Sequence, residues 1–226
     1  MPDLSAMLHA TRSYLQDRLI PFWASRIVEP QYGGFQTNYD RDGRRTAVTE
    51  KTLLAQGRAL FTIAHAVRTG YDWPNWQEQI AQGIAFLQAH LHDPQYGGYY
   101  WIVDEQGKPL DDNKVLYGHS FLIYAFAEVA LLTGDAAARQ LASSIYQLVQ
   151  DRAADHTYGG YLEHFDRTFQ PKRARGDVEL FKSLDVHMHL MEAFTTLYEL
   201  TGATEHRQAL DQVTELIFSR MVDPAT

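Results

Sequence analysis

Three copies of a Tyr-Gly-Gly motif divide the chain at nearly equal intervals. The copies begin at Tyr32, Tyr96 and Tyr158, so their separations are 64 and 62 residues. Each copy precedes an aromatic residue and a short stretch with a turn, a pattern typical of a β-hairpin. A period this long indicates repeated supersecondary units. Each unit is predicted to contain a hairpin, a helix, a short link and a second helix.

Apolar residues at helical spacing predict the helices. Pro21 is expected to kink or break the first helix, whereas Pro74 is acceptable in the first turn of a helix. The predicted elements are, in chain order, a helix over 4–27, a hairpin turning at Asp42-Gly43, helices over 49–69 and 73–92, a hairpin turning at Gln106-Gly107, a helix over 112–133, a hairpin after Tyr158, and a helix ending at Thr201-Gly202.

Helical pairs of this kind must stack on one another to bury their apolar faces, either as an open solenoid or as a closed ring. Each hairpin precedes the same helix of its pair, which favours an all-α toroid with the hairpins at one rim. We expect residues 1–226 to form a single domain. Asp93-Pro94 and Asp223-Pro224 are 130 residues apart, which is two repeats. We therefore expect the chain to stop inside a fourth hairpin, after about seven helices of a larger ring.

The composition excludes several classes of partner. The 20 basic and 28 acidic residues give a net charge of −8, without the basic block that nucleic acid requires. There is no cysteine. The N-terminus mixes charged and polar residues from its third position and has no continuous apolar core, and no run approaches the roughly 18 apolar residues of a membrane span. We expect a cytoplasmic protein that binds neither nucleic acid nor a membrane.

The first helix of each unit follows a lysine, which gives a register for comparing the units. Positions three and seven after the lysine share a helix face, and position five lies well round from both. In a ring, the residues of the shared face converge on the centre. The three positions hold Leu54, Tyr117 and Asp185 at the third, Gln56, His119 and His187 at the fifth, and Arg58, Phe121 and His189 at the seventh.

A structural role and a functional role are both open for the histidines. A histidine on an apolar helix is more often a hydrogen-bonded packing residue, and His119 and His187 fit a role in orienting other groups. A cluster of buried polar groups instead marks a candidate functional site. Among the hairpin aromatics, Trp101 is the best candidate for the wall of a sugar-binding cleft.

The segment Asp185-x-His187-x-His189 offers good metal ligands, but its spacing argues against a metal site. Histidines two apart on a helix point about 200° apart, whereas helical metal pairs are separated by three or four residues. Asp185, His189 and Glu192 do share a face. That spacing serves a hydrogen-bonded imidazole at least as well, so no metal is expected.

The hairpin repeats and three helix motifs resemble the N-acylglucosamine 2-epimerase family. The motifs are Gln56-Gly57-Arg58, Tyr117-Gly118-His119-Ser120-Phe121 and KSLDVHMHLMEAF from Lys182. The resemblance covers essentially the whole chain and implies the N-terminal part of an (α/α)6 toroid. It also implies an isomerase without a cofactor, either a 2-epimerase or an aldose-ketose isomerase. The substrate would be a mannose-type monosaccharide, an N-acylglucosamine or a cellobiose-like sugar.

Carried over by position, the resemblance implies catalytic roles for Arg58 and His189. It implies that Tyr117 and Asp185 bind the sugar. Asp185 stands where cellobiose 2-epimerases usually carry asparagine, which favours a monosaccharide. The further candidates for substrate contact are Trp101, Phe121 and His187.

The resemblance places the principal acid/base histidines beyond Thr226. We therefore expect residues 1–226 to be inactive alone, and the open half ring to be able to form a homodimer. Two other functions are compatible with the sequence. A pair of carboxylates across the cleft would make a glycoside hydrolase or lyase, and a non-catalytic sugar-binding protein would need neither.

Overall fold

The computed structural model describes residues 3–172 and 182–222, which are mainly helical. The first helix, α1, runs through three consecutive segments, Leu4–Tyr14, the π-helical Leu15–Leu19 and Ile20–Ala24. The other helices are α2 (Leu53–Arg68), α3 (Trp76–Phe86 with the π-helical Leu87–Leu91), α4 (Leu116–Thr133), α5 (Ala136–Arg152), α6 (Leu184–Thr201) and α7 (Thr204–Leu216 with the π-helical Ile217–Met221). The described residues thus contain the seven helices that the repeats predict.

Helices α2, α4 and α6 lie side by side as an inner layer with α4 in the middle. The outer helices α3, α5 and α7 each pack on the inner helix that precedes them. Helix α4 is long and apolar enough to cross a membrane, contrary to the expectation from sequence. The structure gives that composition another cause, because 78% of the helix is buried between its neighbours.

Short strands connect successive repeats at one rim. Strands β1 (Lys51–Thr52), β2 (Ile102–Val103) and β3 (Pro109–Asp111) form an antiparallel sheet in that order. Strands β4 (Lys114–Val115) and β5 (His164–Phe165) form a second antiparallel pair. The strand before an inner helix therefore pairs with the hairpin of the next repeat. As a result, the inner helices begin at the same rim, as the hairpin positions predict.

The strands explain two errors in the predicted helix boundaries. The helices expected from residues 49 and 112 begin at Leu53 and Leu116, because the residues before them are in β1 and β4. Helix α3 begins at Trp76 and not at residue 73. Trp73 is instead buried before the helix, where its indole N–H donates to Gln79 Oε1 over 2.9 Å.

Two further predictions hold in a modified form. Pro21 does not break α1, since the helix continues to Ala24. The π-helical segment Leu15–Leu19 ends two residues before the proline, which lies in the first turn of the α-helical segment that follows. The turn at Asp42-Gly43 forms, but its ladder is reduced to one bridge between Tyr39 and Arg45. Asp223 and Pro224, on which the expectation of a fourth hairpin rests, lie outside the described residues.

A pair of opposite charges anchors each hairpin to its inner helix, and the pair is buried in the first two repeats and partly exposed in the third. The lysine before each inner helix lies 3.5, 3.0 and 2.6 Å from an acid that precedes the Tyr-Gly-Gly motif. The pairs are Lys51 with Glu29, Lys114 with Asp93 and Lys182 with Asp155. Each acid also accepts backbone N–H groups of its own loop. An ion pair and two backbone hydrogen bonds to the same acid thus hold each loop.

The pKa values follow from these contacts. Burial lowers the pKa of the ammonium groups of Lys51 and Lys114 below the ordinary lysine value. Burial opposes ionisation of Asp93, but hydrogen bonds from Arg167 and Lys114 outweigh it and hold its pKa well below the usual range. The hydrogen bond from Lys182 lowers the pKa of Asp155 to about 2.

The fifth-position side chains provide the second anchor. Gln56 Oε1 accepts the Phe35 N–H over 2.7 Å, and the Nε2 atoms of His119 and His187 accept the N–H groups of Tyr99 and Tyr161 over 3.1 and 3.0 Å. These N–H groups directly follow the glycine pairs. The fifth position therefore fixes the hairpins and does not face the centre of the ring.

The second glycine of each pair should be less replaceable than the first. Gly97 and Gly98 both have positive φ, 75° and 66°, so alanine at either costs about 1 kcal/mol in backbone strain. A Cβ at Gly98 would also lie 2.9 Å from His119 Nε2 and 2.7 Å from Phe169, whereas the nearest neighbour at Gly97 is 4.0 Å away. We expect Gly98→Ala to lower the free energy of unfolding by about 2 kcal/mol more than Gly97→Ala in urea titrations. Equal losses would contradict this contact.

Acid should destabilise the fold through His119 before the carboxylates titrate. Burial lowers the pKa of this imidazole from 6.5 to about 4. Between those values the unfolded chain binds a proton that the folded chain does not, so stability is complete above pH 6.5 and decreases as the pH falls to 4. The loss is on the order of 2–3 kcal/mol. It should appear in urea titrations across this pH range.

Two substitutions separate that titration from the hydrogen bond. Gln56 accepts the equivalent N–H in the first repeat, so His119→Gln should keep the bond to Tyr99 and reduce the pH dependence. The part that remains is expected from His187 and His206, whose pKa values burial also lowers. His119→Leu should cost about 1–3 kcal/mol at every pH, because the Tyr99 N–H loses its acceptor. A His119→Gln variant with the full acid sensitivity of the parent would show that another group is responsible.

Candidate functional site

The third and seventh positions of the inner helices form one aromatic and polar cluster. Tyr117, Phe121 and His189 lie ring against ring, with centroid separations of 5.2 Å for Tyr117–Phe121, 5.0 Å for Tyr117–His189 and 4.8 Å for Phe121–His189. The Arg58 guanidinium lies 4.7 Å above the Phe121 ring. The structure therefore brings one residue each of α2, α4 and α6 around the Phe121 ring.

Two glycines allow the inner helices to approach closely enough for this. A Cβ at Gly57 would lie 3.1 Å from Phe121 Cβ, and one at Gly118 would lie 2.7 Å from Leu53 Cδ2. Larger residues at either position would separate α2 from α4. The short distance between these helices places Arg58 over Phe121.

His189 has polar groups on both sides of its ring. Its Nδ1 lies 2.8 Å from Glu192 Oε2, and its Nε2 lies 3.4 Å from the Tyr117 hydroxyl and 3.6 Å from Asp185 Oδ1. The imidazole is 11% exposed, whereas the side chains of Asp185 and Glu192 are 63% and 52% exposed. An almost buried base thus lies between two solvated carboxylates, an arrangement suited to proton transfer at Nε2.

The inward face continues one turn further along each helix, at a position that the sequence comparison did not consider. Ten residues after the lysines stand Phe61, Tyr124 and Glu192. Tyr124 packs against Phe61 and Phe121 at 4.7 and 5.0 Å. Burial raises the pKa of the Tyr124 phenol and outweighs the nearby Arg58, which lowers it, so the phenol keeps its proton. The helical period could have predicted these residues, because the tenth position continues the helix face of the third and seventh positions.

A cavity of about 670 Å³ opens beside this deeper layer. Phe61, Tyr124 and Glu192 line it together with residues of α6 and α7. Glu192 therefore contacts both His189 and the cavity. Tyr124 lines the cavity and also packs against Phe121. The cavity and the cluster around Phe121 therefore form one candidate site.

Still further along the inner helices lies a network of charges around Glu128. Its Oε1 accepts from Arg68 Nε over 2.6 Å and lies 2.7 Å from His65 Nδ1, and Arg68 also donates to Glu199 over 2.9 Å. Glu128 is almost fully buried. The network links α2, α4 and α6 at the end opposite the hairpins.

Trp101 lies in the second hairpin, and His187 bonds to the third. Trp101 is half-buried at the rim, where a Cβ at Gly118 would lie 3.0 Å from its ring. His187 is fully buried, and its Nδ1 lies 2.7 Å from the Ser183 carbonyl while Nε2 accepts the Tyr161 N–H. Both ring nitrogens are therefore occupied by backbone. Of the two roles left open for His187, these contacts favour the structural one.

The structure was also compared with the geometry that a metal site requires. Within residues 3–172 and 182–222, no group of three or more histidine or acidic side chains is arranged to hold a metal ion.

Comparison with known proteins identifies the family. Residues 33–226 match the family described as N-acylglucosamine 2-epimerase (GlcNAc 2-epimerase). The chain belongs to this family. The match includes the glycine pairs of the three motifs and the inner helices α2, α4 and α6, so the repeats and the cluster are features of a family member.

Individual relatives agree with this assignment. The chain is 26% identical to the cellobiose 2-epimerase of Bacteroides fragilis over 94% of its own length and 55% of the relative's. It is 30% identical to a D-mannose isomerase of Pseudomonas cannabina pv. alisalensis, covering 82% of this chain and 41% of the relative. The chain thus spans about half the length of the curated relatives that it matches.

A solved structure shows the same fold. The cellobiose 2-epimerase from Spirochaeta thermophila superposes with a TM-score of 0.88 at 29% identity, covering 99% of this chain and 56% of that protein. The predicted fold class is therefore confirmed, and the chain has the (α/α)6 fold of this family over the part that it covers.

Proposed function

We propose that the protein from which this chain comes is an isomerase that acts at C2 of a reducing sugar, as a 2-epimerase or as an aldose-ketose isomerase. The observation that carries the proposal is the cluster around Phe121, where a guanidinium and an imidazole meet in a member of this family. The relatives named cellobiose 2-epimerase and D-mannose isomerase support the reaction class. A reducing sugar is the proposed ligand.

The chemistry follows from the acidity of the C2 proton. In the open-chain sugar a base takes this proton, the electron pair of the C–H bond forms a C1=C2 double bond, and the π pair of the carbonyl moves to O1 to give an enediolate. Return of a proton to the other face of C2 restores the C1 carbonyl and gives the epimer. Return of the proton to C1, with transfer of the O2 hydroxyl proton to O1, gives the ketose. The reaction is balanced without a redox cofactor, and none is proposed.

Each residue of the cluster has a proposed role in that sequence. Arg58 stabilises the negative charge that develops on the enediolate oxygens, because its guanidinium is a positively charged hydrogen-bond donor. His189 exchanges a proton with O1 or O5 during ring opening. Tyr117 and Asp185 orient sugar hydroxyls, and the buried Phe121 ring packs against Arg58 and His189 and so holds them in place. The bases that act on C2 itself are proposed to belong to the half of the relatives that this chain does not cover.

Replacement of Arg58 tests the proposal. In the product of the complete gene, Arg58→Ala should reduce exchange of the C2 proton of mannose or cellobiose in deuterated water by at least about 100-fold, because one donor to the developing oxyanion is lost. Arg58→Lys should retain part of the exchange. Arg41→Ala is the matched control, since its side chain is 94% exposed on the first hairpin. The measurement is proton NMR of the sugar over time.

Two outcomes would count against the proposal. Full exchange in Arg58→Ala would remove Arg58 from the reaction. Release of a reducing end from a glycoside, without C2 exchange in the parent protein, would instead identify a glycoside hydrolase. Residues 1–226 expressed alone should show no exchange.

A further inference from the structure

We infer that Glu192 is a positioning residue that holds the proton of neutral His189 on Nδ1 and leaves Nε2 as the nitrogen that exchanges a proton with the ligand. The inference depends on the proposed function for the identity of the ligand. The geometry on which it stands belongs to α6 alone. Glu192 is three residues after His189, so the two side chains share one face of the helix.

The hydrogen bond decides the tautomer. An ionised carboxylate can only accept, so the 2.8 Å contact between Glu192 Oε2 and His189 Nδ1 requires the proton to lie on Nδ1. In the neutral ring Nε2 is then an acceptor. Its neighbour is the Tyr117 hydroxyl at 3.4 Å, which can donate and can be displaced by a ligand hydroxyl.

The remaining groups around the ring do not compete for Nδ1. Asp185 faces Nε2 at 3.6 Å and pairs with His189 when the ring is protonated. Arg58 of α2 and Tyr124 of α4 reach the neighbourhood through the Phe121 ring. With Tyr117, these are the charged and titratable groups around the ring within residues 3–172 and 182–222, and among those residues Glu192 alone bonds to Nδ1. Whether it is neutral or protonated, the imidazole therefore offers Nε2 for exchange.

The chain provides its own reference for the tautomer. In His119 and His187 Nε2 accepts a backbone N–H, and Nδ1 lies 2.9 and 2.7 Å from the carbonyl oxygens of Val115 and Ser183. Both rings must carry the proton on Nδ1. Their nitrogen resonances define the pattern that His189 should show when it is neutral.

The test is nitrogen-15 NMR of the histidine-labelled product of the complete gene, at a pH where the ring is neutral. The His189 signals are assigned by their loss in His189→Asn. In the parent protein they should match the Nδ1-protonated pattern of His119 and His187. Glu192→Gln should keep this pattern, because the amide oxygen still accepts. Glu192→Ala should move the signals toward a mixture of the two tautomers.

Asp185→Asn is the matched control, because it removes a carboxylate from the other side of the same ring. It should leave the tautomer unchanged. An Nε2-protonated ring in the parent, an unchanged pattern in Glu192→Ala, or an equal change in Asp185→Asn would each overturn the inference.

Activity gives a second measurement. Glu192→Ala should lower kcat/KM for C2 exchange by about 10- to 100-fold, as for carboxylates that orient metal-binding histidines, and Glu192→Gln should restore most of it. If the parent protein shows no C2 exchange while the tautomer follows Glu192 as described, the proposed function fails and the positioning role stands. If exchange depends on Arg58 but neither Glu192 variant changes the tautomer, the positioning role fails and the function stands.

Discussion

The hydrogen bond from the backbone N–H after each glycine pair to the fifth residue of an inner helix determines the rest of the structure. It fixes the height of each hairpin relative to its helix, at 2.7, 3.1 and 3.0 Å in the three repeats. The bond is possible only because the second glycine leaves room for the acceptor. Beside it, the ion pair between the lysine and the acid fixes the other end of the same loop. Together they start the inner helices at a common rim, and the register of the inward residues follows from that start.

The inner helices separate structure and chemistry by face. The fifth position is directed to the hairpin, whereas the third, seventh and tenth positions meet around Phe121 and Tyr124. One helix face thus holds the ring of repeats together, and another is free to differ from repeat to repeat. Arg58, Phe121 and His189 occupy the same place in three repeats and have three different chemistries. A shared backbone device therefore supports a site whose residues are not repeated.

The period of the Tyr-Gly-Gly motifs was sufficient to predict the number of helices, the common rim and the face that converges. It was not sufficient for the helix starts, because β1 and β4 form only when the hairpin of the next repeat supplies a partner strand. Glu192 was noted as sharing a face with His189, but its choice of Nδ1 depends on rotamers that spacing does not specify. Tyr124 was missed because an aromatic residue among apolar ones looks like ordinary core. Its position beside Arg58 distinguishes it, and that position needs three helices to define.

The three histidines at the rim show how the same side chain acquires different roles. His119 and His187 have backbone on both ring nitrogens, so neither nitrogen can exchange a proton without breaking the loop that it holds. His189 uses a side chain of its own helix for Nδ1, and its other nitrogen faces a hydroxyl that a ligand can replace. Burial alone does not separate these cases, since all three rings are largely hidden from solvent. What separates them is whether the partner of Nε2 is part of the fold, and by that criterion His189 is the ring that is available for chemistry.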